Sequence, residues 1–490
     1  MEKTIHSNSF SFNRSDLAAE FSPEVVGALA DISEAHVEFV RYASGNHLFL
    51  NRAQFKVLDE KDCCIRDPIQ AWPTLVDELT RKKLESASIG LSRLIKRIPA
   101  AVFGMSADLI SEFYNLEIDF IRHFVLGAAT EQSVADAIGR GDFIMASTGL
   151  WCLEFNISSN LGGLWEAKTW GRKMMRIPVI AGYLKDNDLH ARSTNSFRLM
   201  MQHFLNEVKR SLLGTNRQAN VAYILATNHE GITDEDRAMG ESLAEDYREA
   251  LRDCDDAMEG SFLVCAFDDL SVVGGHVLLK ETHIHLLVEC MGGDVPLHIL
   301  RCYQLGNLII HNGPITYLLC NKLNMAVLSE LQNSDIFTEE ERELIRKHVP
   351  WTRKVEQGST DFHGLDVSMP SFVYENRQNL VLKKSISRSG HDVVIGMHTM
   401  PSEWARVVSE ALAEKSWIVQ EHVKCRPFLY QFGEYGCCPH DVVWGLFVFG
   451  ETYGGAFLRM SPRDHHAIVN SSHGSYDGVV LEVTQNTEAH

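Results

Sequence analysis

Two short β-rich runs, Asp142 to Ala146 and Leu150 to Asn156, flank Ser147-Thr148-Gly149 and constrain this chain more than any other segment. A three-residue loop with Gly last fits a type I turn closed by a left-handed residue, so the runs read as a hairpin. That register pairs residue 146 with 150, and therefore 142 with 154. Side chains alternate along a strand, which puts Asp142, Glu154 and Asn156 on one face. Phe143, Met145, Trp151, Leu153 and Phe155 fall on the other, which is wholly apolar. One face must pack on a core while the other carries oxygen ligands. A hard divalent cation takes such ligands, and magnesium commonly holds one or two carboxylates together with nucleotide phosphates. The same residues also suit a surface hairpin with incidental acids, and the hairpin alone does not choose between the two.

At 490 residues the chain exceeds the size at which one core keeps growing, so two or three packed units are expected. Its 45% hydrophobic and 23% charged content is that of a globular protein. No apolar run reaches the roughly 18 residues that cross a bilayer. Met1 to Ser15 is polar, without the apolar stretch of a secretory signal. Eleven Cys in such a chain point to reduced thiols and a cytoplasmic location. Cys63-Cys64 and Cys437-Cys438 are adjacent pairs without zinc-ligand spacing. A formal charge of −19 argues against nucleic acid as a partner, because such binders need a basic stripe.

Apolar periodicity predicts helices over Pro23–Tyr42, Ile69–Leu79 and Ala107–Val125, and later over Phe197–Leu213. Past residue 216, Val221–Ala226, Ser261–Phe267, Val272–Leu279 and Ile284–Val288 read as strands. Thr233–Leu251 is an amphipathic helix with acids at its start, Leu297–Cys302 is helical and Asn307–Ile310 is extended. This alternation suggests a small α/β unit. Pro314–Leu331 reads as a helix carrying Lys322. Leu380–Lys384 and Val393–Gly396 read as strands around a polar Ser/Gly loop, Ser385–Asp392. Pro401–Ala413 is a helix, Trp417–Gln420 a strand, and Val442–Phe449 and Ala456–Met460 are late strands. Small residues in that loop would let backbone N–H groups approach phosphate oxygens, with Lys383 and Arg388 supplying charge. A plain polar hairpin loop explains it equally well.

The order of these blocks resembles the glutathionylspermidine synthase family, ligases with a circularly permuted ATP-grasp domain. The family pattern R-x-D-F, with E-x-N twelve residues on, matches Arg140-Gly-Asp142-Phe143 and Glu154-Phe-Asn156. Its Asn-Lys helix matches Asn321-Lys322, its loop lysine and arginine match Lys383 and Arg388, its v-x-Q-e strand matches Val419-Gln420-Glu421, and its late G-x-x-x-R strand matches Gly455 to Arg459. The likeness runs from about Arg140 to about Gly474 in separated blocks.

The resemblance implies an α/β fold: a helical region over 1–130, a first ATP-grasp segment over 131–215, an inserted α/β unit over 216–313 and nucleotide-binding lobes over 314–490. It implies an ADP-forming carboxylate–amine ligase using ATP and Mg2+. Asp142, Glu154 and Asn156 would hold magnesium. Lys322, Lys383, Ser385, Ser387, Arg388, Ser389, Gly390, Gln420 and Glu421 would bind the nucleotide, and Arg140 and Arg459 would stabilise the transferring phosphoryl group and the oxyanion. The expected partners are a small carboxylate and a small amine, with no nucleic acid or membrane. A carrier-protein or peptide acid is the first alternative, and a non-catalytic ATP-binding protein the second. Lys384 and Ser389 replace the family's Pro and Glu, and Ile157-Ser158-Ser159-Asn160 replaces its Ala-Asp-Thr-Pro. That last segment lies where the acid would sit, so glutathione is not implied as the substrate. Residues 1–130 carry no Cys/His amidase motif.

Overall fold

The computed structural model describes residues 22–45, 69–127, 129–211, 217–254, 258–290, 295–387, 392–432, 436–463, 469 and 474–485. Its architecture is mixed α/β, with helices and several separate sheets.

The largest sheet has eight strands. Its main path runs Thr74–Val76, Tyr476–Gln485, Thr452–Pro462, Gly436–Phe449, Ile138–Ala146 and Gly149–Asn156. Phe428–Phe432 adds to Gly436–Phe449, and Leu189–Arg192 to Tyr476–Gln485. Only Thr74–Val76 is parallel to its neighbour. The helix Glu78–Ala101 shares one apolar core with this sheet through Leu84, Leu91 and Ile95. A second sheet is wholly parallel, in the order Ile309–His311, Leu286–Glu289, Val221–Ala226 and Phe262–Ala266. Its strand Val-Ala-Tyr-Ile-Leu-Ala is an unbroken apolar run, as a strand covered on both faces requires. A third sheet, antiparallel, runs Thr352–Lys354, Trp417–Glu421, Leu380–Lys384 and Val393–Ile395. The helix Pro401–Glu414 buries Trp404, Val407, Val408 and Ala411 against Leu380, Leu382, Trp417 and Val419 of that sheet.

Several elements differ from the sequence reading. The Pro23–Tyr42 periodicity spans two helices, Pro23–Ala30 and Glu34–Gly45. Ser33 separates them, its Oγ accepting from the His36 N–H as an N-cap does. Ile69–Leu79 is not a helix. Gln70 N–H donates to Asp477 O and Thr74–Val76 pairs with the far C-terminal strand, so long-range pairing overrides the local pattern. The helix starts after Asp77, whose carboxylate caps the Thr80 N–H at 2.7 Å. Ala107–Val125 divides at Asn115, which takes a left-handed conformation, and a π-helix follows at Phe120–Leu126. Val272–Leu279 is a hairpin turning at Gly274-Gly275, both at positive φ. Pro314–Leu331 breaks into Thr316–Leu319 and Leu323–Glu330, with Lys322 at the joint.

Among the described residues no helix is long and apolar enough to cross a membrane.

Candidate active site

The hairpin pairs Asp142 with Glu154, and Arg140 with Asn156, but by a route the sequence does not suggest. The turn has two residues, so Ala146 faces Gly149. A bulge between Asp142 and Phe143 takes up one extra residue on the other strand and restores the 142–154 pairing. The bulge re-aims the residues beyond it. Phe143, Met145, Cys152 and Phe155 lie in the core. Trp151 pairs with Ile144, away from Phe143, and Leu153 lines a cavity. The expected apolar face is therefore corrected at Trp151 and Leu153.

That cavity, about 1160 Å³, opens between the large sheet and the third sheet. It collects Arg140, Asp142, Glu154, Asn156, Lys322, Lys383, Ser387, Gln420, Glu421 and Arg459. Ser385 does not line it; the residue is buried, its N–H donating to Ser416 O and its carbonyl accepting from the Lys322 N–H. Arg388, Ser389 and Gly390 lie outside the described residues, as do Cys63 and Cys64.

On the large-sheet wall, Arg140 and Asp142 are two apart on one strand and share a face. The Arg140 guanidinium donates through Nε to Asp142 Oδ1 at 2.8 Å and through Nη2 to Oδ2 at 3.0 Å. This two-point pairing is the strong form of an ion pair. Arg140 Nη1 also donates to Gly162 O at 2.6 Å. Arg459, from the strand Thr452–Pro462, brings Nη2 to 2.7 Å from Asp142 Oδ2. All three side chains are buried. Burial would raise the Asp142 pKa, but the two guanidinium groups outweigh it and hold the carboxyl far below its usual range. Gly445 makes the arrangement possible, because a Cβ there would stand 2.9 Å from Arg140 Cδ. Arg459 Nε is buried without a hydrogen-bond partner among the described residues.

Asn156 bridges this cluster to Glu154. Its Nδ2 lies 3.4 Å from Asp142 Oδ2 and 3.3 Å from Glu154 Oε1. Burial would raise the Glu154 pKa as well, but Lys322 and then Lys383 outweigh that and the repulsion of Asp142, and the net shift is downward. Lys322 Nζ stands 3.6 Å from Glu154 Oε2 and donates to Ser387 O at 3.1 Å.

The opposite wall is built differently. Lys383 Nζ donates to Gln420 Oε1 at 2.7 Å and to Leu153 O at 3.0 Å, both uncharged acceptors. Burial pushes its pKa down to about 8. Gln420 is oriented by Thr352, whose Oγ1 accepts from Nε2 at 3.0 Å. Glu421, at the strand end, meets His363 Nε2 at 3.1 Å.

The donor set fits a magnesium ion. Two carboxylates and a side-chain amide, each carrying hard oxygen, lie together, with Asp142 also accepting from Arg140 and Arg459 and the Asn156 amide nitrogen between the two acids. Nitrogen and oxygen of that amide are interchangeable by a flip.

Other residues of the site gave no sequence signal. Gly445 sits in an ordinary apolar strand. Asn312 exchanges two 2.8 Å hydrogen bonds with the Ile138 backbone and so fixes the strand two residues before Arg140, yet nothing in its spacing marks it. Glu166, Glu289, Lys424, Asp441, Arg463 and Asp477 also line the cavity.

No family model matches the sequence, and no curated protein sequence matches it. Among solved structures, a protein from Methylobacillus flagellatus KT, proposed to be a gamma-glutamylcysteine synthetase, is similar with a TM-score of 0.37 and 12% identity. The match covers 80% of this chain and 85% of that one. Chains at that TM-score need not share a fold.

Proposed function

We propose that the chain is an ATP-dependent carboxylate–amine ligase of the circularly permuted ATP-grasp type. One observation carries the reading: side chains from five separated stretches of sequence meet in one cavity as an oxygen-ligand triad faced by four buried cations. Phosphoryl transfer asks for positioning and charge, and this cavity supplies both. At about 1160 Å³ it has room for a nucleotide with a second small molecule, since single-ligand sites fall at roughly 300–1,000 Å³.

In this reading a substrate carboxylate oxygen attacks the γ-phosphorus, and the bond to the ADP oxygen breaks. An amine nitrogen then attacks the acyl carbon, phosphate leaves, the nitrogen loses a proton and an amide remains. Asp142, Glu154 and Asn156 would hold magnesium, which supplies charge neutralisation across the phosphates when bound. Lys322 and Lys383 bind phosphate oxygens, and phosphate beside Lys383 favours its charged form. Gln420, held by Thr352, and Glu421 face the base and ribose. Arg459, with its unclaimed Nε, meets the developing negative charge, and Arg140 holds Asp142 in register. The acid and the amine are small molecules in this reading.

The test is nucleotide analysis after incubation with Mg·ATP and pooled amino acids, thiol peptides and polyamines. ADP release that requires both an acid and an amine, with a new amide mass, is expected. AMP with pyrophosphate, or no binding of Mg·ATP, would remove the proposal.

A further inference from the structure

Away from the triad, a second cluster joins a helix and a strand. His203 and Glu207 sit four apart on the helix Ser196–Ser211 and share a face. His311 ends the parallel strand Ile309–His311. One ligand atom from each residue lies within 4.8 Å of the other two. Glu207 and His311 are buried and touch through Oε2 and Nε2.

Both rings are oriented from behind. His203 Nε2 lies 2.8 Å from the Asp136 carbonyl, which only accepts, so that nitrogen carries the proton and Nδ1 carries the lone pair. His311 Nδ1 lies 3.0 Å from Asn312 Oδ1, another acceptor, which leaves Nε2 for the cluster. Metal-ligating histidines are held in this way, their second nitrogen donating to a carbonyl or carboxylate oxygen. Asp136 is itself fixed by Gln132 at 2.9 Å and by an ion pair with Arg210. Phe204 packs on the His311 ring at 4.6 Å between centroids. Gly450, at positive φ, lets its turn approach His203, where a Cβ would stand 2.7 Å from Cε1. His311 also lines the cavity.

We propose that His203, Glu207 and His311 form a binding site for one zinc-class divalent ion, with water as the fourth ligand. Two imidazoles and a carboxylate suit such an ion, and rotations of the three side chains would bring their ligand atoms to the about 2.0–2.2 Å that zinc takes. The ion would replace the proton shared by His311 and Glu207. It would clamp the helix to the end of the parallel sheet, next to the Asn312 that fixes Ile138. The site is independent of the ligase reading, and either can fail alone.

The test uses the full-length protein, stripped with chelator and titrated with Co2+, then Zn2+. One equivalent of cobalt is expected, with the visible absorption of a low-coordinate nitrogen/oxygen site and no sulfur charge-transfer band. Zn2+ should displace it and raise the melting temperature. His203→Asn and Glu207→Gln should each abolish that absorption while circular dichroism stays native. A sulfur band, no binding, or binding that survives both variants would overturn the site. Should a variant not fold, zinc X-ray absorption on the wild-type protein decides: imidazole with oxygen supports the site, while sulfur or the absence of imidazole overturns it.

Discussion

The two walls of the cavity hold positive charge in opposite ways. On the large sheet, Arg140 and Arg459 both close on Asp142 and are ion-paired before any ligand arrives. On the third sheet, Lys383 faces an amide oxygen and a carbonyl, and burial drives its pKa down to about 8. One wall is a finished ion cluster whose removal should damage the fold. The other is a conditional charge that a phosphate would complete. A buried pair is costly to break because the surviving charge is stranded, whereas Lys383 has no directly bonded carboxylate and the charge of Glu154 nearby only partly offsets the cost of its burial.

Asp142→Asn gives the largest break in this contrast. It strands two buried guanidinium groups, and the loss expected at neutral pH is about 3–5 kcal/mol by urea melts, with ADP formation abolished. Because the folded Asp142 pKa is depressed, its contribution is present above the unfolded value and lost as pH falls toward the folded one. The gap between variant and wild type should therefore narrow below about pH 4. An equal gap at neutral and acid pH would show that the carboxylate is not what holds the arginines.

Arg459→Ala comes next. It leaves Arg140 paired with Asp142, so the cluster survives while the unclaimed Nε is lost. Turnover should fall on the order of 100- to 1,000-fold, as for removal of one charge-stabilising donor, with little change in ATP affinity. A loss confined to affinity would move Arg459 to ground-state binding.

The hairpin shows how far the sequence reaches into this site. Pairing of Asp142 with Glu154 was legible, yet the expected three-residue turn is a two-residue turn followed by a bulge. The two departures cancel at the acids and not beyond them, which is why Trp151 and Leu153 change faces. Strands with strong local patterns, such as Val221–Ala226 and Leu380–Lys384, were readable from residue type alone. Thr74–Val76 was not, since its partner lies some four hundred residues away and a local window carries no trace of it. The same limit hid Gly445 and Asn312, whose importance is a matter of what approaches them in space. Lys322, Lys383, Gln420 and Arg459 stood out through the order of their blocks, not through any single one.

The conditional wall predicts a pH effect of intermediate size. Phosphate favours charged Lys383, so Mg·ATP affinity should weaken as pH rises past about 8. Lys383→Met should bind more weakly and lose that dependence, which calorimetry from pH 7 to about 9.5 would reveal. The lysine's own contribution to stability runs the other way. Its folded pKa is lowered, so stability from this group rises with pH between about 8 and its unfolded value. A variant with the wild-type pH profile would place the titration elsewhere.

Thr352→Val is the smallest test. It removes the acceptor that orients Gln420. One neutral hydrogen bond is worth about 0.5–1.5 kcal/mol, so a loss of about 2- to 10-fold in ATP affinity is expected, with turnover unchanged. A change in turnover would show that Gln420 orients more than the nucleotide.

The most direct test of the ligase account follows the carboxylate oxygen. With the acid identified from pooled substrates and labelled with 18O in its carboxyl group, one labelled oxygen should leave in inorganic phosphate as the amide forms. Label found in AMP, or phosphate released without label while the amide accumulates, would contradict an acyl-phosphate step in this cavity.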